Sequence, residues 1–489
     1  MADFAALIAG HARLERGEAP AGALTGITSD SRKVKPGMLF VAVPGVKVDG
    51  ARFVPDAVAK GAAAVLMEPT GTPPDVDVPL VFSLDVRRSL ALMAARSHAR
   101  QPGQVVAVTG TAGKTSVAEF LRQIWTHLGF KAAYLGTLGL IAPGETTYGG
   151  LTSPDPVDLH AMLDHLAGTG ITHMALEASS HGLDQRRLDG VKLTAGGFTN
   201  LGRDHLDYHP TVADYYHAKL RLFTELMPPY ATAIAALDAP YGATTLAYAR
   251  TRGLPTFAIG AAGDLKVTEV LAEGTSQRIR FADRPDLVIP LVGRFQADNA
   301  LLAASLVAAG GVPLDDALAA LAHLKGVPGR LEKVGTDPTR PVFVDYAHKP
   351  EALETVLDTL RAATPGRLMV VFGCGGDRDR GKRPLMGDIA ARKADVVIVT
   401  DDNPRSEDPA AIRAEILAAA PGAREIGARD EAINTAVAMM GAGDVLVVAG
   451  KGHETGQIIG DRTYPFSDTA AVLAALGEPH DDTRTVHAG

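Results

Sequence analysis

The chain has 489 residues, a formal charge of −8 at pH 7, 21% charged residues and one cysteine. That length exceeds one ordinary core and predicts about three domains; the charge, spread along the sequence, leaves no basic footprint for nucleic acid, and no run reaches the ~20 apolar residues that a membrane span needs. The lone Cys374 excludes an intramolecular disulfide and reads as structural, and with a start (Met1-Ala2-Asp3-Phe4-Ala5) unlike a signal peptide it predicts a cytoplasmic protein.

In chain order, residues 1–84 contain short β-type runs, Met38 to Val43 and Ala62 to Met67, around an alanine-rich helical stretch, which predicts a small α/β unit. Residues 85–328 begin with a helical pattern from Ser89 and alternate helices with apolar strands such as Val105 to Val108 and His173 to Leu176. A break at Gly326-Val327-Pro328-Gly329 opens residues 329–489, where runs at 341–344, 368–372, 396–399 and 445–448 alternate with helices and predict a doubly wound, Rossmann-like parallel sheet. The fold class is α/β throughout.

Strand, glycine-rich turn and helix start follow one another at Thr109-Gly110-Thr111-Ala112-Gly113-Lys114-Thr115-Ser116. Glycines at 110 and 113 let backbone N–H groups close on a phosphate, the helix dipole favours the anion, Lys114 reaches the terminal phosphates and Thr115 offers a hydroxyl to Mg²⁺. The loop is shorter than G-x-x-x-x-G-K-[ST], since position 108 is Val. Glu177, ending an apolar strand before Ala178-Ser179-Ser180-His181-Gly182, is placed to bind Mg²⁺ through oxygen. A dense polar cluster runs from Thr199 to His209 and includes His205. A helix over Tyr215 to Phe223 carries Lys219 among apolar neighbours, which read plainly is a snorkelling lysine.

In the third region, three strand ends present arginines beside carboxylates and glycines: Gly373 to Pro384 with Arg378, Thr400-Asp401-Asp402-Asn403-Pro404-Arg405, and Gly450-Lys451-Gly452-His453-Glu454. Guanidinium groups fork onto carboxylates and acidic groups accept from an ammonium, so these ends can hold an amino acid; the plainer reading is a network of surface salt bridges.

Taken together, the motifs resemble the Mur ligases over nearly the whole chain, in the branch that adds the third peptide residue. The resemblance rests on the short phosphate loop, Glu177 to Gly182, Asn200 to Tyr208, Ala218-Lys219-Leu220, Asp345-Tyr346-Ala347-His348-Lys349-Pro350, and Ser29-Asp30-Ser31-Arg32 with Gly37 to Ala42. Ala112 stands where Asn is usual and Ser153 where Thr is frequent.

The resemblance implies a uridine-binding first domain, a central ATP-binding domain, and ATP-dependent addition of meso-diaminopimelate to a UDP-N-acetylmuramoyl dipeptide through an acyl phosphate. It implies catalytic roles for Lys114, Lys219 and His205, and ATP contacts at Gly110 to Ser116, Asn299, Arg330 and Asp345. Metal is implied at Thr115, Glu177 and a Lys219 that is carbamylated by CO₂. The nucleotide sugar falls to Ser29, Ser31, Val46, Lys47, Val48, Thr152, Ser153, Ser179, Gln185 and Arg187. Diaminopimelate falls to Arg378, Asp402, Asn403, Pro404, Arg405, Gly450 and Glu454, in a monomer. The alternatives are a lysine-adding ligase, a folylpolyglutamate synthetase, and a phosphate-loop ATPase that is not a ligase.

Overall fold

The computed structural model describes residues 3–20, 22–45, 49–69, 74–147, 149–205 and 207–479. They form two compact units, Met1–Asp264 with Leu302–Leu314, and Leu265–Leu301 with Asp315–Gly489. The expected α/β class holds in both.

In the first unit, a five-stranded sheet pairs Met38–Val41, Ala64–Met67 and Leu80–Phe82 in parallel. Its side chains alternate as a two-residue period requires. Leu39, Val41, Leu66 and Val81 pack with Leu90 and Met93 of the helix Val86–Ser97, whereas Phe40, Val65 and Leu80 pack with Val54 and Ala57 of Val54–Ala59.

An eight-stranded sheet follows. Gln104–Thr109 lies between His173–Glu177 and Ala195–Phe198, all parallel and buried, and an antiparallel hairpin, Gly139–Ala142 with Glu145–Thr147, extends one edge. Parallel strands covered on both faces carry continuous apolar runs, which is why the sequence displays them. Under this sheet, His160 is 0% exposed and bonds the Asp189 carbonyl through Nε2 at 2.9 Å, and burial lowers its pKa to about 4.

That depressed pKa makes stability depend on pH. Below pH 6.5 the unfolded chain takes a proton that the folded chain refuses until about pH 4, so stability present above 6.5 is lost across that window, by about 3 kcal/mol at ~1.4 kcal/mol per pH unit. His160→Gln keeps a donor for Asp189 and cannot titrate. Urea unfolding at pH 7 and pH 4.5 is expected to show a smaller acid loss in that variant; an equal loss assigns the effect to other groups.

The second unit contains the six-stranded sheet. Phe343, Val370, Phe372, Val399 and Val447 pack against helices Pro350–Ala362, Lys382–Lys393 and Pro409–Leu417; Val342, Val344, Val371, Ile398 and Val448 face Arg429–Ala438 and Asp468–Leu476. Helices on both faces make the sheet doubly wound, as expected. Its strands are parallel except for the edge strand Glu332–Val334, which runs antiparallel to Val342–Asp345. The expected alternation of helices and apolar strands up to Lys325 is interrupted by a three-stranded antiparallel sheet, Val267–Glu273, Ser276–Phe281 and Leu287–Ile289. Cys374 is buried with its Sγ 3.7 Å from Met386 Sδ, the structural role read from the sequence.

Candidate functional site

In the first unit the phosphate loop forms where expected, at the end of Gln104–Thr109 and the start of the helix Lys114–His127. Gly110 and Gly113 have φ of 143° and 85°, conformations that side chains rarely adopt. A second loop clamps the first: Thr111 N–H donates to Asn200 O at 2.9 Å, Ala112 N–H to Asn200 Oδ1 at 3.1 Å, and the Thr199 hydroxyl to Ala112 O at 2.6 Å. Lys114 Nζ donates to Gly110 O at 2.9 Å and Thr111 O at 2.8 Å. Thr115 and Ser116 are buried beneath the turn.

Lys219 does not snorkel. It lies on the helix Val212–Arg221, three residues longer at its start than the sequence pattern, and continues into a single π-type turn, Leu222–Leu226. The side chain is 1% exposed, with Nζ 4.2 Å from the Tyr215 ring centroid and donating to Gly110 O at 2.7 Å. Burial first, then the neighbouring Lys114, push its pKa well below the ordinary value.

Glu177 ends its strand 2% exposed. Its Oε1 accepts from the Tyr134 hydroxyl and from Thr137 N–H at 2.9 Å, and its Oε2 from the Thr137 hydroxyl at 3.2 Å. A Cβ at Gly136 would collide with this carboxylate and with the Tyr134 hydroxyl, so only glycine fits. His205 adopts φ 53°, packs 5.0 Å from the His181 ring, and has its pKa lowered chiefly by burial while the charges of Lys114 and Lys219 act in the same direction. Backbone strain of this kind collects at functional sites.

A polar chain joins the residues expected at the nucleotide sugar. Thr152 Oγ1 lies 3.2 Å from Thr137 Oγ1, and Ser153 Oγ lies 3.0 Å from Ser179 Oγ. Arg187 donates to Ser153 O at 2.6 Å and to Gln185 Oε1 at 2.7 Å. Ser29, Gln185 and Arg187 line one cavity of about 150 Å³ together with Arg87 and Asp155. Ser31 is not part of its lining; its carbonyl accepts from Lys60 Nζ at 3.0 Å. Val46, Lys47 and Val48 lie outside the described residues.

In the second unit, Asn299, Arg330 and Asp345 come together. Asn299 Nδ2 donates to Gln296 Oε1 at 3.3 Å, Gln296 Nε2 to Arg330 O at 3.0 Å, and the Arg330 guanidinium sits 4.9 Å over the Tyr346 ring. Asp345 accepts from Leu331 N–H at 2.6 Å and Ala347 N–H at 2.8 Å; burial raises its pKa to about 6 against the pull of Arg330.

A cavity of about 560 Å³ opens at the strand ends of the same sheet, lined by Arg378, Asp402, Asn403, Arg405, Gly450 and Glu454, with Lys382, Lys349, Glu351 and Asp379. The strand-end clusters therefore share one pocket, and the expected salt bridges stand beside it, Arg380 and Arg383 with Glu415, Arg383 with Glu407 and Asp401 with Arg413. Pro404 is the exception: it is not part of the lining, and its carbonyl instead accepts from Glu407 N–H at 3.1 Å. Arg405 donates from Nη1 to Gly376 O at 2.9 Å and has φ 53°. Asp377 joins the two arginine-bearing loops by accepting from the Ser406 hydroxyl at 2.6 Å.

Comparison with known proteins follows the same residues. The Mur ligase family catalytic domain matches residues 23–100, the Mur ligase middle domain 108–307, and the Mur ligase glutamate ligase domain 329–452. A protein of Mesorhizobium japonicum named UDP-N-acetylmuramoyl-L-alanyl-D-glutamate--2,6-diaminopimelate ligase is 57% identical, over 93% of this chain and 95% of its own length. This chain belongs to the Mur ligase family. A Rhizobium meliloti Mur ligase of the same name is 55% identical over 94% of this chain and 96% of its own. A solved structure with that name superposes with a TM-score of 0.70 at 32% identity, covering 94% of this chain and 96% of that one.

Several residues that shape this Mur ligase were given no role of their own from its sequence. Tyr134 and Thr137, which hold Glu177, stand 43 and 40 residues before it. Lys451 is 0% exposed and bonds Asn403 and Glu454 of the 560 Å³ cavity, and Arg429 is buried and paired with Asp468. Fully buried cations are the signal, and burial of one lysine between glycines is not visible in a sequence.

Proposed function

We propose that this Mur ligase joins meso-diaminopimelate to UDP-N-acetylmuramoyl-L-alanyl-D-glutamate with ATP, in the cytoplasm and as a monomer, and that the regions 1–84, 85–328 and 329–489 serve the uridine nucleotide, ATP and the acceptor amino acid. The carrying observation is the convergence of Arg378 and Arg405 with Asp402 and Glu454 on one cavity. Diaminopimelate bears an ammonium and a carboxylate at its far end and lysine only the ammonium, so forked cations are useful for the first and useless for the second. Among the described residues no helix is long and apolar enough to cross a membrane.

In this reading the γ-phosphate of ATP passes to the D-glutamyl carboxylate, giving an acyl phosphate and ADP; the acceptor amine then attacks the acyl carbon and phosphate leaves. Bringing a carboxylate to a triphosphate sets like charges together. Lys114 and the loop N–H groups offset that repulsion, and Asn200 and Thr199 hold the loop in shape beforehand.

The residues fit Mg²⁺. Glu177 is a buried carboxylate whose hydrogen-bond donors are hydroxyls and an amide rather than a cation, and the Thr115 hydroxyl lies at the start of the loop helix. When bound, Mg²⁺ neutralises charge on the phosphate oxygens. Lys219, held toward its neutral amine, is the group able to take up CO₂ as a carbamate and so become an anionic oxygen ligand.

The test is phosphate release from ATP and Mg²⁺ with the UDP-muramoyl dipeptide, comparing meso-diaminopimelate with L-lysine. Release that depends on diaminopimelate supports the proposal. A preference for lysine overturns the role given to the arginines, and release without any acceptor overturns the ligase reading.

A further inference from the structure

Lys451 follows the strand Val445–Ala449 and is 0% exposed, a place that a lysine occupies only against strong partners. Its ammonium donates to Asn403 Oδ1 at 2.9 Å and to Glu454 Oε2 at 3.2 Å. Asn403 Nδ2 donates to the same Glu454 oxygen at 2.9 Å, and Ile458 N–H donates to Asn403 Oδ1 at 2.9 Å. Asn403 and Glu454 line the 560 Å³ cavity, and Lys451 stands behind them. Two other buried cations nearby are already matched: Arg429 is closed on Asp468 by two bonds of 2.7 and 2.8 Å, and Arg383 pairs with Glu407 at 2.8 Å and Glu415 at 3.0 Å. Among the described residues, Lys451 is the cation in direct contact with Glu454.

An acceptor with a distal carboxylate must enter a cavity that also holds Glu351, Asp379, Asp402 and Glu454. An unmatched Glu454 repels that carboxylate and attracts an ammonium. With its charge matched from behind, Glu454 remains a hydrogen-bond acceptor, and the lining cations Arg378, Arg405, Lys349 and Lys382 outnumber the remaining lining carboxylates Glu351, Asp379 and Asp402. We infer that Lys451 determines acceptor specificity without touching the acceptor: by neutralising Glu454, it makes the cavity favour a far end bearing carboxylate and ammonium over one bearing an ammonium alone.

This inference rests on the acceptor reading above, and a double-mutant cycle in the full-length chain tests it. The readout is the ratio of kcat/KM for meso-diaminopimelate to that for L-lysine, with KM for ATP as a control. Lys451→Met is expected to lower the ratio about tenfold or more, the change that ~1.4 kcal/mol of altered charge interaction produces, and to leave KM for ATP unchanged. In a Glu454→Gln background the same substitution is expected to leave the ratio unaltered, because no carboxylate remains to be matched. Equal losses for both acceptors in Lys451→Met, or a fall in the ratio that persists with Gln at 454, overturn the inference. If Lys451→Met alone does not fold, the comparison of Lys451→Met/Glu454→Gln with Glu454→Gln decides by the same criterion. An unaltered chain that uses neither acceptor overturns the ligase reading, and this inference with it.

Discussion

Lys219→Met is expected to cut phosphate release at least about a hundredfold while raising the temperature of unfolding. Lys219 is 1% exposed, and among the described residues its direct partners are a carbonyl, Gly110 O at 2.7 Å, and the Tyr215 ring; no carboxylate lies within ion-pair reach. Lys114 reaches the same carbonyl, at 2.9 Å. A buried ammonium in that position is destabilising, and a methionine of similar length relieves it by about 1–3 kcal/mol. The proposed function supplies a reason to keep it: the environment that lowers its pKa favours the neutral amine, the form that the proposed reaction with CO₂ needs and that Met lacks. Between the depressed pKa and 10.5 the unfolded chain binds the proton more readily than the folded one, so the unaltered chain gains stability as pH rises toward 10.5 and the advantage of Met shrinks. Thermal unfolding at pH 7 and pH 10 measures the second effect. The first is measured by phosphate release, with activity of the unaltered chain falling when CO₂ is stripped and returning with bicarbonate. Full activity in Lys219→Met removes the lysine from the mechanism.

What was legible in the sequence was local. The phosphate loop declares itself within eight residues because strand, turn and helix start adjoin, and the buried parallel strands declare themselves as apolar runs. The sheet over 267–289 was not legible: its first strand is largely exposed, with Arg278 and Arg280 paired to Glu273 and Glu269 across strands, so no apolar run marks it. The long-range partners were also hidden. Asn200 closes on Ala112 across 88 residues, and Lys451 meets Asn403 across 48. Lys219 showed its neighbours along the helix but not Gly110, 109 residues away. Residue type and spacing named candidate groups for chemistry; which of them are buried, and therefore which titrate abnormally, follows from tertiary packing alone.

Arg405→Ala is expected to raise KM for meso-diaminopimelate about a hundredfold, equivalent to ~2.7 kcal/mol, with KM for ATP unchanged and use of L-lysine undiminished. The residue is held in place from several sides. Its backbone N–H donates to Ile458 O at 3.1 Å, its carbonyl accepts from Gly460 N–H at 2.7 Å, and Nη1 donates to Gly376 O at 2.9 Å. Side chain and main chain are therefore fixed before an acceptor arrives, so little ordering remains to oppose binding. A charge-assisted bond to a carboxylate contributes about 1.5–3 kcal/mol, and its geometry depends on the fork, so Arg405→Lys is expected to recover only part of the loss. The residue also carries strain, since its φ of 53° is a left-handed conformation. Arg405→Gly removes the same guanidinium but relaxes the backbone, so it is expected to match Ala in acceptor KM and to exceed it in thermal stability. Comparing the two variants separates recognition from folding: equal acceptor losses with unequal stabilities assign the loss to the missing guanidinium, and an acceptor KM that tracks stability instead assigns it to the loop.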